Sequence, residues 1–277
     1  MILGIDAGMS AVKIVVLENG KCILTHYEKN KGGSMETLNR AMMNSGAYNM
    51  DIGAVAVTGI NAGNCYMETS GLPLYGVSEI DALGAGGCRL SGLNKALVVN
   101  LGTGSTFVGA DNGKYTHIGG TGLGGGSIRG LARRMLGVTD AEALAEMALQ
   151  GDLRNVDICI GDLMEGSDTM PADMTAANLA KFEPDATDAD WAAGILNLVL
   201  QGVGTMAQLI CDMKGFSDVV LVGGLAGQQA AKNIFDVFTR LYKPDFHTVE
   251  NSLYATALGA ATILWQEQGE PQREWSI

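Results

Sequence analysis

A pattern of strand, glycine turn and strand occurs twice in this chain and constrains its fold more than any other feature. The first copy reads LGIDAGMSAVKIVVLENG at residues 3–20, and the second reads VVNLGTGSTFVGADNG at residues 98–113. Each copy is an apolar strand that ends on a polar residue, Asp6 or Asn100, passes through a glycine turn bearing a hydroxyl, and closes a second strand on Asn-Gly. Because Asn-Gly between apolar alternations is a strong hairpin signal, the sequence predicts two related β-rich halves.

A third glycine turn follows another apolar strand in DVVLVGGLAG, residues 218–227. Ligands of α/β sheets bind beyond the carboxyl ends of the strands, and the backbone N–H groups of glycine turns form concavities that bind anions. A single short glycine motif is as well explained by an ordinary hairpin turn. Three such turns, each after a buried strand, favour a nucleotide site.

The segment THIGGTGLGGGSIRG, residues 116–130, contains seven glycines in fifteen positions. So many glycines serve close backbone approach, positive φ angles or flexibility. An apolar-periodic helix follows at once, which a merely flexible loop would not need. Because a helix N-terminus offers free N–H groups and a positive dipole end to phosphate, close approach is the favoured explanation.

The rest of the chain alternates between strands and helices. Further periodic segments predict strands at 2–6, 11–17, 22–27, 54–58, 95–101, 105–111, 114–118 and 218–222. Helices are predicted at 34–45, from Glu79 onward with Ser78 as N-cap, and at 128–136, 141–150, 189–213, 229–241 and 252–266. Residues 151–188 are the least regular part of the chain.

Composition excludes some classes of function. Thirty carboxylates oppose 18 lysines and arginines in 277 residues, which argues against a nucleic-acid partner. No basic leader precedes the first strand and no apolar run reaches about 18 residues, so neither a signal peptide nor a membrane partner is expected. The cysteines are odd in number and never paired as CxxC, which is typical of reduced cytoplasmic thiols. They are Cys22, Cys65, Cys88, Cys159 and Cys211.

Three of these segments resemble known nucleotide-binding motifs. GIDAG at 4–8 with Lys13, NLGTGS at 100–105 and VGGLAG at 222–227 are similar to the phosphate-1, phosphate-2 and adenosine motifs of the acetate kinase, sugar kinase, Hsp70 and actin superfamily. Within it, the chain resembles type II pantothenate kinase, the bacterial and animal form, over nearly its whole length. The supporting segments are GIDAGMSAVKIV at 4–15, VTGINAG at 57–63, EIDA at 79–82, GGTGLGGGSIRGL at 119–131, MTAAN at 174–178 and VEN at 249–251.

The resemblance implies an α/β fold of two ribonuclease-H-like lobes, an actin-like ATPase fold, with the nucleotide cleft between them. The lobes are expected at 1–92 and 93–277, with the final helix folding back toward the first lobe. The implied function is ATP- and Mg²⁺-dependent phosphorylation of the primary hydroxyl of pantothenate to 4′-phosphopantothenate, the first step of coenzyme A biosynthesis. The implied assembly is a cytoplasmic homodimer, with coenzyme A or acyl-CoA as a possible feedback ligand.

Two alternative functions stay open. One is a kinase for a related acceptor, such as another hydroxylated amide or an amino sugar. The other is a nucleotide- or acyl-CoA-binding regulator without turnover. The presence of Glu79 together with Asp6 and Lys13 favours chemistry over ligand sensing, because sensing needs only binding.

The resemblance also implies residue roles. Glu79 matches the catalytic base that accepts the proton of the attacking hydroxyl, although an acidic residue in a first helical turn also favours the helix dipole. Asp6 would hold Mg²⁺ through water, or simply end a strand at a turn, and Lys13 would place positive charge on the phosphates. The expected ATP contacts are Gly8, Ser10, Gly102, Thr103, Gly104, Ser105, Gly122, Gly124, Gly125 and Gly126, with Gly223 and Gly224 near the adenine.

The acceptor site departs from the family pattern at two positions. The resemblance assigns Thr175 and Ala176 to the acceptor, together with the residue two places before the Gly119-Gly120 pair. That residue is His117, where the family generally has an arginine that binds the substrate carboxylate. A half-buried core histidine is the alternative reading.

The second departure is Thr248, which stands where bacterial members have a tyrosine. A histidine offers a carboxylate one donor and is only partly cationic at neutral pH, whereas an arginine offers two donors in a planar fork. Arg129 or Arg133 from the following helix could supply the missing cation.

Overall fold

The computed structural model describes residues 1–30, 34–62, 71–164, 171–172, 174–181 and 183–268. Two residues named from the sequence, Gly63 at the end of VTGINAG and Cys65, lie outside the described residues.

Twelve strands occur in the described residues, and ten of them form two five-stranded sheets. In chain order the strands are β1 (Ile2–Ala7), β2 (Ala11–Glu18), β3 (Lys21–Lys29), β4 (Ala54–Thr58), β5 (Leu74–Gly76), β6 (Lys95–Leu101), β7 (Ser105–Asp111), β8 (Lys114–Thr121), β9 (Ile158–Cys159), β10 (Thr175–Ala177), β11 (Asp218–Val222) and β12 (Asp245–Thr248). The short strands β9 and β10 pair with each other.

Eight α-helices lie in the same described ranges. They are α1 (Ser34–Ser45), α2 (Glu79–Ser91), α3 (Gly125–Met135), α4 (Ala141–Ala148), α5 (Ile160–Leu163), α6 (Asp188–Lys214), α7 (Gln229–Leu241) and α8 (Ala255–Gln268). As predicted, Ser78 caps α2: its Oγ accepts a hydrogen bond of 3.5 Å from the Asp81 N–H. α3 begins at Gly125 instead of residue 128, so the glycine-rich segment supplies its first turn.

The two sheets have the same topology. The first has the strand order β3-β2-β1-β4-β5, and the second, read from its other edge, has the order β8-β7-β6-β11-β12. In each sheet an antiparallel three-stranded meander is extended by two parallel strands. This equivalence is the structural counterpart of the repeated sequence pattern, and it gives the two predicted α/β lobes.

Both predicted Asn-Gly hairpins are present. Asn19 and Gly20 have φ angles of 49° and 75°, and Asn112 and Gly113 have φ angles of 48° and 82°. Two positive φ angles are the signature of the type I′ turn, whose twist matches the flanking strands. The first of these turns joins β2 to β3, and the second joins β7 to β8.

Helices cover both faces of each sheet. α1 covers one face of the first sheet, where Leu38 packs with Leu3 and Ile5, and α8 covers the other face, where Ala257 packs with Val15. α2 covers one face of the second sheet, and helices α3, α4, α6 and α7 cover the opposite face.

The two inner helices, α2 and α8, cross each other between the sheets. A methyl group on Gly86 of α2 would overlap the carbonyl group of Ala255, and one on Gly259 of α8 would overlap the carbonyl group of Ala82. Glycine at both positions therefore lets the helix backbones touch. Although α8 follows the second sheet in the chain, its buried alanines pack on the first sheet.

In the described part of the chain, α6 has the length and apolar composition that could span a membrane. Much of its surface is buried in the second lobe, where Ile195, Val199 and Val203 are fully covered. A buried helix in the core of an α/β lobe can have the same length and apolar composition as a membrane-spanning helix.

Candidate active site

The first glycine turn joins β1 to β2, and an ion pair with a buried carboxylate flanks it. The Asp6 carboxylate is 5% exposed and lies opposite Lys13 in the hairpin register. The Lys13 Nζ donates to Asp6 Oδ2 at 2.8 Å. Because a buried carboxylate is costly without a charged partner, the Lys13 ammonium is held in place at the end of β1.

The second glycine turn, between β6 and β7, faces the first across the lobes. The Ser10 Oγ of the first turn lies 3.2 Å from the Thr103 Oγ1 of the second. These residues are 93 positions apart in the chain. The repeated pattern in the sequence therefore becomes two turns that meet at one point of the cleft.

The glycine-rich segment packs directly on the second turn. The N–H groups of Gly125 and Gly126 donate to the carbonyl oxygens of Gly102 and Thr103, both at 2.8 Å. The Ser105 Oγ donates to the Leu123 carbonyl oxygen, also at 2.8 Å. These N–H groups are thus already engaged, and any phosphate contact by Gly125 or Gly126 would use other atoms.

Close backbone approach explains Gly104 of the second turn and Gly124 of the glycine-rich segment. A Cβ on Gly104 would lie 2.7 Å from the Thr121 carbonyl oxygen, and a Cβ on Gly124 would lie 2.7 Å from the Thr103 carbonyl oxygen. None of the glycines from 119 to 126 has a φ angle in the left-handed region. The approach is between two protein backbones, whereas a Cβ on Gly122 would meet nothing within 4 Å.

The third glycine turn lies beside the second at the carboxyl edge of the same sheet. Gly223 follows β11 with a φ angle of 96°, and a Cβ there would lie 2.8 Å from the Leu101 carbonyl oxygen. Its N–H donates to the Ser252 carbonyl oxygen at 2.9 Å. Gly224 is less crowded, since a Cβ there would meet only Leu253, at 3.7 Å.

Glu79 is the first residue of α2 and shares its electrostatic surroundings with the ion pair. Partial burial raises the pKa of the Glu79 carboxyl, the negative charge of Asp6 raises it further, and the Lys13 ammonium opposes both. Glu79 therefore has both features considered from the sequence: it stands in the first turn of a helix, and it has charged neighbours. The structure therefore places Glu79 within electrostatic reach of the Asp6–Lys13 ion pair.

His117 lies on β8, an edge strand, and is exposed to solvent. The alternative of a half-buried core histidine is therefore wrong. Two residues before it, Tyr115 packs on Gly84 of α2. Because alternate residues of a strand share a face, His117 lies on the face of β8 that borders α2, the helix that begins with Glu79.

Thr175 belongs to a polar network around the fully buried Asp157. The Thr175 Oγ1 and the Asn197 Nδ2 donate to Asp157 Oδ2 at 2.8 and 2.9 Å. The Gln201 Nε2 donates to the Thr175 carbonyl oxygen at 3.4 Å. The Thr175 hydroxyl is thus committed to a structural contact, while the neighbouring Ala176 is exposed.

Thr248 ends β12, at the opposite edge of the second sheet from His117. Four inter-strand spacings of about 4.8 Å separate the two edges, or roughly 19 Å. Within one chain, His117 and Thr248 are therefore too far apart to contact the same small acceptor molecule. Arg129 and Arg133 are exposed on α3, and the Arg129 Nε donates to the Gly125 carbonyl oxygen at 3.3 Å.

Two further residues at the site had no role assigned from the sequence. Asn30 and Asn61 both hydrogen-bond to the first glycine turn. Asn61 lies inside VTGINAG, so the motif itself was a signal, whereas nothing in the local pattern marks Asn30. Among the described residues, no group of three or more histidines, cysteines, aspartates or glutamates could hold a metal ion.

Known proteins resemble this chain over most of its length. A family model described as Fumble matches residues 93–243, more than half of the chain. Type II pantothenate kinase from Staphylococcus aureus strain USA300 is 29% identical over 272 residues, covering 94% of this chain and 98% of that protein. The protein of that name from strain bovine RF122 / ET3-1 has the same identity and coverage.

Solved structures share the fold at low sequence identity. Component A of (R)-2-hydroxyglutaryl-CoA dehydratase from Acidaminococcus fermentans has a TM-score of 0.68 at 19% identity, covering 97% of this chain and 99% of that one. A ROK family glucokinase from Streptomyces griseus, in complex with glucose and AMPPNP, has a TM-score of 0.64 at 14% identity, covering 96% and 99%. The predicted fold of two ribonuclease-H-like lobes is confirmed.

Proposed function

Because the chain belongs to the Fumble family, we propose that it is a pantothenate kinase. It transfers the γ-phosphoryl group of ATP to the primary hydroxyl of pantothenate, and the products are 4′-phosphopantothenate and ADP. This is the first step of coenzyme A biosynthesis. The observation that carries the proposal is that Glu79 lies within electrostatic reach of the Lys13–Asp6 ion pair, which flanks the first of the two glycine turns that meet.

These residues supply the groups that phosphoryl transfer needs. Glu79 accepts the proton of the attacking hydroxyl, and its raised pKa makes it a stronger base than an ordinary surface carboxylate. Lys13 adds positive charge beside the phosphates, where positioning and electrostatic stabilisation dominate catalysis. As the new oxygen–phosphorus bond forms, the bond between the γ-phosphorus and its bridging oxygen breaks, and ADP leaves.

The residues around Asp6 fit a hydrated Mg²⁺ ion. Mg²⁺ keeps much of its water and takes few carboxylates, and Asp6 is the carboxylate at the end of β1. Thr58 pairs with Asp6 in the parallel register of β1 and β4, and its buried Oγ1 has no hydrogen-bond partner among the described residues. Asp6 would hold the ion through water, and the ion would neutralise charge on the phosphates of ATP.

The ATP contacts belong to the same proposal. The phosphates lie along Gly8, Ser10 and the turn from Gly102 to Ser105, next to Gly122 and Gly124. Adenine lies near Gly223 and Gly224, at the carboxyl edge of the second sheet, where ligands of α/β folds bind. The two lobes that enclose this cleft correspond to 1–92 and 93–277, with α8 packed on the first lobe.

On the acceptor side we assign His117, Thr175 and Ala176. His117 faces the α2 side of β8, so it is available to the pantothenate carboxylate in the role that an arginine has in the family. A different hydroxylated acceptor is the second candidate, and the observation that favours it is this same histidine. A regulator that binds nucleotide or acyl-CoA without turnover is the third.

A homodimer in the cytoplasm completes the proposal. The free thiols of Cys22, Cys88 and Cys211 support a reducing compartment. Exposed apolar side chains on α6 support association between two copies: Met206, Leu209 and Met213 are 37%, 52% and 80% exposed at i, i+3 and i+7. Feedback by coenzyme A or acyl-CoA rests on the family resemblance alone.

A panel of acceptors tests the proposed function. Purified protein is incubated with ATP and Mg²⁺ and with pantothenate, pantetheine, N-acetylmannosamine or glucose, and ADP release is measured. Pantothenate is expected to give the highest kcat/KM. Faster turnover of a sugar would favour the second candidate, and stabilisation by acyl-CoA without turnover of any acceptor would favour the regulator.

A further inference from the structure

The carbonyl groups of the first glycine turn are all engaged by donors outside the turn. Residues 7–10 carry four consecutive carbonyl oxygens, and each accepts a hydrogen bond from one of two asparagines. Each asparagine uses both its main-chain N–H and its side-chain amide. Asn61 takes the first two carbonyls and Asn30 takes the last two.

Asn61 approaches the turn from the loop after β4. Its N–H donates to the Ala7 carbonyl oxygen at 3.0 Å, and its Nδ2 donates to the Gly8 carbonyl oxygen at 3.2 Å. Gly59 makes this approach possible, since it has a φ angle of 97° and a Cβ there would lie 2.8 Å from the Ala7 carbonyl oxygen. The loop and the turn are therefore held in contact.

Asn30 approaches the turn from a different strand end, directly after β3. Its N–H donates to the Ser10 carbonyl oxygen at 2.9 Å, and its Nδ2 donates to the Met9 carbonyl oxygen at 3.1 Å. The orientation of its side-chain amide is set by α1, where the fully buried Thr37 donates its hydroxyl to Asn30 Oδ1 at 2.9 Å. The amide nitrogen of Asn30 therefore points at the turn.

This arrangement has a consequence for the opposite side of the turn. In a trans peptide unit the carbonyl oxygen and the N–H of the next residue point in opposite directions. The N–H groups of Met9 and Ser10 therefore point away from the asparagines that hold the preceding carbonyls. Successive N–H groups directed to one side form a site for an anion, whereas carbonyl oxygens on that side would repel one.

We propose that Asn30 and Asn61 are positioning residues that turn the carbonyl groups of the first glycine turn outward and so direct its N–H groups at the ATP phosphates. The inference rests on the proposed nucleotide site. Neither asparagine touches the phosphates. Their effect is on the affinity for the phosphate part of the nucleotide, and the adenosine part is held by the second lobe.

Nucleotide titrations of Asn30→Ala, Asn61→Ala and the double variant test this role. Each single variant loses one side-chain donor and keeps its main-chain N–H. At the usual net strength of a hydrogen bond, its affinity for ADP is expected to fall about 5-fold, and that of the double variant at least 10-fold. Adenosine, which lacks phosphates, is expected to bind all of them within about twofold of the wild type.

Two additional variants separate positioning from general stability. Asn30→Asp keeps the acceptor for Thr37 but turns an oxygen toward the Met9 carbonyl, so it is expected to bind ADP more weakly than Asn30→Ala does. The matched control is Asn44→Ala, which removes the 3.1 Å hydrogen bond from Asn44 Nδ2 to Glu28 in the same lobe, a bond that involves neither Asn30 nor the turn. This control is expected to bind ADP as the wild type does.

Several outcomes decide the matter. ADP affinity within twofold of the wild type in both single variants would overturn the proposal, and so would an equal loss for ADP and adenosine. If the double variant does not fold, the single variants decide alone. Turnover is not measured, so a wild-type protein that binds ADP but phosphorylates no acceptor refutes the proposed function and leaves this inference standing.

Discussion

At the scale of single residues, the charge state of Glu79 controls the proposed chemistry. A general base works only as the carboxylate, so activity is present above its pKa and is lost as the pH falls through it. Burial and the Asp6 charge raise this pKa. The acid limb of the profile of kcat against pH is therefore expected at a higher pH than an ordinary glutamate would give.

The Glu79→Gln variant tests the same residue directly. The amide keeps the shape of the side chain but cannot accept the proton, so kcat is expected to fall about 10²–10⁴-fold. Affinity for ATP, measured by titration, is expected to stay within a few-fold of the wild type. Unchanged kcat would leave Glu79 with only its place in the first turn of α2.

His117 sets the third prediction at this scale. An arginine fork makes two hydrogen bonds to a carboxylate and is always charged, so His117→Arg is expected to lower the KM for pantothenate. Pantetheine lacks the carboxylate and provides the control, because its KM is expected to change little. An equal change in both KM values would mean that His117 does not face the carboxylate.

At the scale of elements, glycines allow neighbouring turns to touch. A single methyl group at such a position would separate them. A Cβ on Gly104 meets the Thr121 carbonyl oxygen at 2.7 Å, whereas a Cβ on Gly119 in the adjoining strand meets nothing within 4 Å. Gly104→Ala is therefore expected to displace the second turn and weaken ATP binding at least 10-fold, an effect of about 1.4 kcal/mol or more. Gly119→Ala should bind ATP normally. Equal affinities in the two variants would refute the phosphate role of this turn.

The exposed stripe on α6 gives a prediction about assembly. Leu209 lies at its centre and is 52% exposed. A lysine there would place a charge in the interface, so Leu209→Lys is expected to run as a monomer in light scattering, where the wild type has the mass of two chains. Ala143→Lys adds the same charge at an exposed position of α4 and should remain a dimer. A wild-type monomer would contradict the proposed homodimer.

At the scale of the whole molecule, the crossing of α2 and α8 joins the lobes. Gly86→Ala would push a methyl group into the backbone of α8, and overpacking of this kind costs about 1–3 kcal/mol. Gly130→Ala is the matched change in a helix, with nothing within 4 Å of the added Cβ, and is expected to stabilise by about 0.5–1 kcal/mol. Urea unfolding measures the free energy of unfolding of both variants. If this free energy changed in the same direction in both, the helix crossing would not be tightly packed.

Local patterns predicted most of the elements, but some strands had no local signal. β12 has little apolar alternation and forms because it pairs with β11 in parallel. β9 and β10 occur in the segment that looked least regular, and they are joined to α6 through the buried Asp157. In these places distant contacts, rather than the residues themselves, select the conformation.

Residues of the candidate site divide in the same way. Asp6, Lys13 and Glu79 could be named because each stands at a recognisable place in a motif or helix end. Asn30 could not, since its partners Met9 and Ser10 lie some twenty positions away, and no periodicity marks a side chain that hydrogen-bonds across a sheet edge.

The sequence by itself determined the repeated hairpins, the strand ends that carry the glycine turns and the start of α2, because each depends on residues close together in the chain. Only the tertiary structure decided that the glycine-rich segment approaches the turn at residues 102–104 and that His117 is exposed beside α2. These depend on backbones far apart in sequence meeting at van der Waals distance, and only the packed chain specifies which of them meet.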